Sequence, residues 1–253
     1  MWFIETADGV DFAGDDRWQV LLLYRKCKSS SSSSSSMFSL SGYYTLFTFH
    51  NPFAGSKIRI CQALILPHLQ GKGLGRQILL ATYKLISGQL QSPSQSIAIN
   101  ENENEKLKSN NAIVANMSNI VELTVEDPAP GFQAMRDSCD IEWLFTQTKS
   151  YTINENEIDI IAKKLKLTRA QVEFLSEANR FYTIMKKNEN NQENSNEWKT
   201  FRLSVKRRLL RQRPELKALE KPAMQKELEE LYNEQQQRYE RVFKTRNRLC
   251  SSS

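Results

Sequence analysis

The 253-residue chain has little from which to build a metal centre or a redox pair. Its four cysteines, Cys27, Cys61, Cys139 and Cys250, form no CxxC pair, and only His50 and His68 are available to join them. No metal site is therefore expected. Scattered cysteines without a signal peptide point to a reducing, intracellular compartment. Long apolar runs are also missing: the longest, residues 20–24 and 63–67, fall far short of the ~20 residues that cross a bilayer, so no membrane span is expected. Glycine is absent from residue 151 onward. Charge of one sign is not extreme either. A net charge of +6 and a pI of about 9.1 are modest, and a solvated basic surface is the simpler reading than nucleic-acid binding.

What is present is enough apolar material for one sizeable core, or for one domain plus a smaller helical one, with 40% hydrophobic and 25% charged residues. The first half reads as strands followed by a helix. Residues 18–24 (WQVLLLY), 38–50 and 57–66 (KIRICQALIL) are short, apolar and rich in β-branched or aromatic side chains, as strands are. The serine run 29–36 buries nothing and reads as a loop between the first two strands. Pro52 and Gly55 predict a turn at 51–56. Leu74, Ile78, Leu79, Tyr83 and Ile86 recur at helical spacing. Residues 91–118, mostly Ser, Asn and Glu, read as a surface insertion. Residues 120–125 predict a further strand and 130–139 a short helix.

From residue 151 helical patterns dominate. Thr168 is a candidate N-cap for a helix through Tyr182, 186–197 a polar loop, 201–212 a basic helix, and Pro222 the start of a long helix to about residue 248. The expected organisation is a core over 1–148, with low-complexity loops at 27–37 and 91–118, followed by a helical domain over 149–253. The basic run holds Arg202, Lys206, Arg207, Arg208, Arg211 and Arg213 without an acid. No aromatics interleave with these charges as a stacking platform requires, so direct nucleic-acid binding is not expected.

The stretch that carries chemistry is QALILPHLQGKGLGR, residues 62–76: a strand, a glycine-rich loop, then a helix. Glycines permit tight turns and close approach of the backbone. Amides at a helix start, together with the helix dipole, favour a phosphate, so the loop is expected to cradle a pyrophosphate. The Walker pattern fails, because Gly71-Lys72 is followed by Gly73 and position 66 is leucine. The spacing is GxGxG rather than the GxGxxG of dinucleotide loops. What fits is Gln70-x-x-Gly73-x-Gly75, which resembles motif A of the GNAT superfamily of N-acetyltransferases.

The further stretch VELTVEDPAPGFQAMRD (121–137), the opening MWFIET and the basic segment FRLSVKRRLL make the chain similar to the catalytic subunit of type B histone acetyltransferases. Met135 stands where that family has leucine, while Arg136 and Asp137 match. The resemblance implies an α+β, GNAT-type fold with a mixed, mostly antiparallel sheet, acetyl-coenzyme A as cosubstrate and no metal. It implies a lysine in the tail of newly made histone 4 as acceptor, a WD-repeat histone chaperone as partner, and a place in nucleus and cytoplasm. The family's additional N-terminal domain is not matched in this sequence.

Carried over residue by residue, the resemblance assigns cofactor binding to Ala63, Leu64 and Ile65 on the strand and to Gln70, Gly71, Lys72, Gly73, Leu74, Gly75 and Arg76 in the loop. Substrate contact falls to Trp18, Phe47, Thr48 and Phe49, for which core packing is the competing reading. Glu126 is implied as general base, with Asp127 as the alternative. The chemistry needs such a group: a lysine with pKa near ~10.4 is neutral in only about one molecule in 2,500 at pH 7, and a nearby carboxylate removes the proton. Cys61 reads as a small buried hydrophobe rather than a nucleophile, since no base partner is near it in sequence. Two other functions stay open at this stage: acetylation of a small amine or another protein, and a catalytically weak histone- or partner-binding module.

Overall fold

The computed structural model describes residues 14–27, 37–89, 119–189 and 195–251. The serine run, the 91–118 insertion and the opening MWFIET lie outside them. Among the described residues are four strands and six α-helices: β1 (Trp18–Cys27), β2 (Met37–Phe49), β3 (Ser56–Ile65), α1 (Leu74–Ile86), β4 (Ile120–Val125), α2 (Pro130–Thr148), α3 (Ile158–Leu165), α4 (Arg169–Glu189), α5 (Ser195–Gln212) and α6 (Lys221–Ser251). The class is α+β. The chain divides into two compact units, one comprising residues up to 129 together with 160–168, the other 130–159 together with 169–253.

In the first unit the strands lie in the order β1-β2-β3-β4. The first two pairings are antiparallel and β3–β4 is parallel, a mixed and mostly antiparallel sheet. Alternation along β2 buries Tyr44, Leu46 and Thr48, while α1 buries Ile78, Leu79, Thr82, Tyr83 and Ile86. With Ile58, Ile60, Ile120 and Leu123 these form the core of the unit. Each fully buried aliphatic side chain contributes about 1.5–3 kcal/mol. The expected turn at 51–56 is an Asx turn, in which the Asn51 carboxamide accepts from the amides of Phe53 and Ala54. α1 stops in a Schellman motif: Gly88, at φ +71°, donates to the Leu85 carbonyl, and Gln89 donates to Lys84. The Lys166 carbonyl accepts from the amide of Leu123 and so occupies the outer edge of β4.

The second unit is helical. An aromatic cluster of Phe174, Phe181, Phe201 and Tyr239 fills it, with ring centroids 5.4–6.3 Å apart. The Tyr239 hydroxyl donates to Glu177 at 2.5 Å. Burial, reinforced by the Glu177 charge, pushes this phenol above its usual range.

Three expectations need correction. The helix from Pro130 does not end at Cys139 but runs to Thr148, because Ile141, Trp143 and Leu144 continue the buried stripe. The helix expected to stop at Tyr182 extends to Glu189. The stretch 186–197, expected as a polar loop, is helical at 186–189 and from Ser195 onward, and residues 190–194 lie outside those described. α3 was not expected. Its lead-in carries a capping box in which Asn154 and Glu157 satisfy each other's backbone amides.

The Arg136 and Asp137 of the family-like motif are buried in the helical unit. Asp137 accepts two bonds from Arg238, at 2.8 and 3.0 Å, and one from Gln133 at 2.6 Å. Arg136 donates to Gln171, which in turn donates to Asp140. These paired charges link the helices of the unit, pairing being what makes buried charge tolerable.

Candidate active site

The candidate site is built within the sheet unit from the C-terminal parts of β3 and β4, the loop after β3, and one face of β1 and β2. β3 and β4 pair from Ser56/Ile120 to Ile60/Val125. The amide of Glu126 still donates to the Ile60 carbonyl at 3.0 Å, and there the ladder ends. β3 runs on to Ile65, and among the described residues Gln62–Ile65 pair only with β2 on its other side. Ala63, Leu64 and Ile65 therefore present a strand edge that β4 does not cover, and Ala63 is exposed. An uncovered edge offers amide donors and carbonyl acceptors to an extended ligand.

The chain then makes a single 3₁₀ turn, Pro67–Leu69, anchored by the buried Leu69. The Gln70 carboxamide donates back to the Ile65 carbonyl at 2.9 Å, and the Lys72 ammonium donates to the His68 carbonyl at 3.2 Å. These bonds close the loop on itself. Gly71 and Gly73 sit in the left-handed region at φ +73° and +76°, where an L side chain costs roughly 1–2 kcal/mol. A Cβ at either position would meet nothing within 4 Å, so the space over the loop is open.

Gly73 is also the N-cap of α1 and brings no side-chain cap to its first-turn amides. Across the sheet, the buried Tyr44 hydroxyl donates to the Gly75 carbonyl at 2.9 Å, fixing the helix start. Leu74, Gly75 and Arg76 follow in the first turn, partly buried. An open, positively polarised helix start can accommodate a diphosphate.

Register assembles the other wall. Trp18 stands opposite Phe47, and Phe47 opposite Arg59. The Trp18 and Phe47 rings meet edge-on with centroids 4.9 Å apart, and Phe47 and Phe49 are 4.8 Å apart. Arg17 lies over Phe47 at 4.7 Å and Arg59 over Phe49 at 4.6 Å. Thr48, between the two phenylalanines, points to the opposite face and is buried. The aromatic wall thus unites Trp18, Phe47 and Phe49 and leaves Thr48 out.

Glu126 stands at the end of β4, half-exposed, with its carboxylate 3.2 Å from the Arg59 guanidinium. Immediately after it, Asp127 takes φ +31°, a left-handed conformation that is uncommon outside glycine and is tolerated best by Asp and Asn. That turn ends the strand and leaves both carboxyl groups exposed. Cys61, at the irregularity where β2 and β3 shift register between Thr45 and Leu46, is half-buried. Burial, then the hydrogen bond to Glu126 and its charge, push the thiol up to about 11.

Cys61 is thus a neutral donor at physiological pH and not a thiolate nucleophile. Alkylation of Cys61 at pH 8, followed by peptide mass spectrometry, is expected to be about 100-fold slower than for a free cysteine. The rate should rise about tenfold per pH unit and level off only above about pH 11. Fast labelling at pH 8 would contradict this placement. Arg17, Arg59 and the Cys61–Glu126 contact are the site features that sequence reasoning missed; only the strand register reveals them.

No family model matches the chain. Comparison with curated proteins does find relatives. The chain is 23% identical over 216 residues to a human protein, covering 83% of this chain and 42% of that one. It is 26% identical over 264 residues to one from Schizosaccharomyces pombe, covering all of this chain and 59% of the other. It is 28% identical over 184 residues to one from Aspergillus fumigatus. All three are histone acetyltransferase type B catalytic subunits. The chain spans about half the length of the first two. Among the described residues no group of His, Cys, Asp and Glu is placed to hold a metal, and no helix is long and apolar enough to cross a membrane.

Proposed function

We propose that the chain is a histone acetyltransferase of the GNAT superfamily. It moves the acetyl group of acetyl-coenzyme A to a lysine in the N-terminal tail of newly synthesised histone 4, in a direct ternary-complex transfer with Glu126 as general base. The observation that carries this reading is the meeting, in one unit, of three features. An open glycine loop lies at a helix start, an edge of β3 that β4 does not cover runs from Ala63 to Ile65, and a half-exposed carboxylate lies where β4 stops. The names of the relatives support the same reading.

Each part has a task. The amides after Gln70 and at the start of α1 bind the diphosphate. The edge of Ala63–Ile65 holds the pantetheine arm as an added strand and offers amides to the thioester carbonyl, where charge develops. Trp18, Phe47 and Phe49 line the approach of the acceptor, since aromatic faces attract a cation and pack its methylene stem. Glu126 then takes the ammonium proton. The free amine attacks the thioester carbonyl and forms the new N–C bond; as the C–S bond breaks, the nitrogen's surplus proton passes to the departing sulfur, which leaves as the thiol.

Arg59 spans Phe49 and Glu126, the ring and carboxylate that the incoming lysine would use. It holds Glu126 in place and must yield part of that position when the acceptor arrives. A WD-repeat histone chaperone as partner, and residence in nucleus and cytoplasm, belong to the same proposal.

The test is a mixture of the full chain, acetyl-coenzyme A and a histone 4 tail peptide, read by mass. A peptide heavier by one acetyl group, formed faster than without protein, supports the proposal. If a small amine or an unrelated lysine peptide is acetylated faster, the acceptor is wrong while the chemistry stands. If nothing is acetylated, both are wrong.

A further inference from the structure

The helical unit contains a cavity of about 310 Å³, and five arginines reach it: Arg169, Arg180, Arg207, Arg208 and Arg211. Three glutamates, Glu155, Glu173 and Glu177, also line it, and Asp159 pairs with Arg169, so the arginines outnumber the carboxylates around them by one. The ion pairs show where that excess lies. Arg208 grips Glu177 with two bonds of 2.7 and 2.8 Å, and the Tyr239 hydroxyl donates to the same carboxylate. This pair is mostly buried, with side chains 11% and 13% exposed, and is neutral as a unit. Arg169 is held by Asp159 and Glu173.

Three guanidinia keep donors to spare. Arg180 packs over the Phe201 ring at 5.6 Å. Arg211 is 70% exposed and touches Glu173 only at 3.7 Å. Arg207 is exposed and pairs with no carboxylate among the described residues. α4 contributes the first of these and α5 the other two, so the spare charge flanks the opening from two helices while a locked ion pair lies beneath it.

From this arrangement we infer that the helical unit carries a binding site for a small phosphorylated molecule, seated between Arg180, Arg207 and Arg211. Planar guanidinium forks match phosphate oxygens in pairs, and the three guanidinia with donors to spare are the groups that would take them. The volume is at the lower end for small-molecule sites, about 300–1,000 Å³. That favours a compact ligand over a polymer, which would also call for the stacking aromatics that this rim lacks. The inference does not depend on the proposed acetyl transfer, because every residue involved belongs to the helical unit.

Inorganic pyrophosphate is the probe, titrated calorimetrically into the full chain at fixed ionic strength. The glycine loop also favours diphosphate, so the titration is run in the Gly73→Glu chain. One saturable binding event is expected there. It should weaken at least tenfold when Arg207→Glu and Arg211→Glu are added, and less when Lys217→Glu is added instead. The arginine changes lie at exposed positions, and circular dichroism checks that the helices persist. The inference is overturned if Gly73→Glu alone abolishes binding, if sodium chloride at matched ionic strength displaces the probe completely, or if the arginine reversals leave the affinity unchanged.

Discussion

Glu126→Gln is expected to lower the acetyl-transfer rate at pH 7 about 10²–10⁴-fold, the usual span for losing a general base, while binding of acetyl-coenzyme A changes little. The carboxylate is half-exposed and its ion pair with Arg59 lies at the surface. Such pairs contribute at most about 1 kcal/mol, so the fold should survive. The pH profile separates loss of a base from a local distortion. Without Glu126 the amine must lose its proton to solvent. The rate of the Gln variant should then rise about tenfold per pH unit up to the lysine pKa near ~10.4, narrowing the gap to the parent chain. A uniform deficit at every pH would indicate displaced geometry instead. An unchanged rate at pH 7 would remove Glu126 from the mechanism and leave Asp127, its exposed neighbour in a left-handed turn, as the base to test.

The second large effect is on stability. Arg238→Ala should destabilise the protein by about 2–4 kcal/mol. Removing one partner of a fully buried ion pair costs about 3–5 kcal/mol, and the lower range applies here because Arg238 is 26% exposed. Asp137, only 3% exposed, would be left with the Gln133 carboxamide to hold its charge. Arg238 also lies over the Phe174 ring at 4.2 Å, so the truncation loses packing as well as charge. In thermal unfolding the transition should fall by roughly 2–4 °C per kcal/mol for a protein of this size. Adding Asp137→Leu should restore part of the loss, since it removes the stranded charge; contacting residues are rarely additive. Strictly additive losses would mean that the pair does not act as a unit.

Much of this was legible in the sequence, for reasons that are local. Residues 74–86 and 120–125 were readable to their ends. The first shows a clean helical stripe that stops at Ser87-Gly88, and the second is a β-branched run that stops at Glu126-Asp127-Pro128. The glycine loop was readable because its backbone needs glycine at two left-handed positions. What local pattern could not supply was register. Alternation alone separates Thr48 from Phe47 and Phe49, yet which face meets the core depends on where α1 packs. The Arg59 contacts with Phe49 and Glu126 depend on strand pairing across the register shift at Thr45/Leu46. The divergence of β3 from β4 after Ile60 is likewise a tertiary feature. The overlooked α3 had a local signal, the Asn154–Glu157 capping box ahead of IDIIAKKL. The continuation of α2 past Cys139 also had one, since residues 140–148 contain neither glycine nor proline.

The glycine loop as a diphosphate cradle is the claim on which the catalytic account stands, and isothermal titration of the full chain with acetyl-coenzyme A tests it most directly. The account predicts a saturable one-to-one heat. Gly73→Glu should abolish it by setting a carboxylate against the diphosphate, and Gly73→Ala should only weaken it through left-handed strain of roughly 1–2 kcal/mol. Absence of heat from the parent chain, or an identical isotherm for Gly73→Glu, would contradict it.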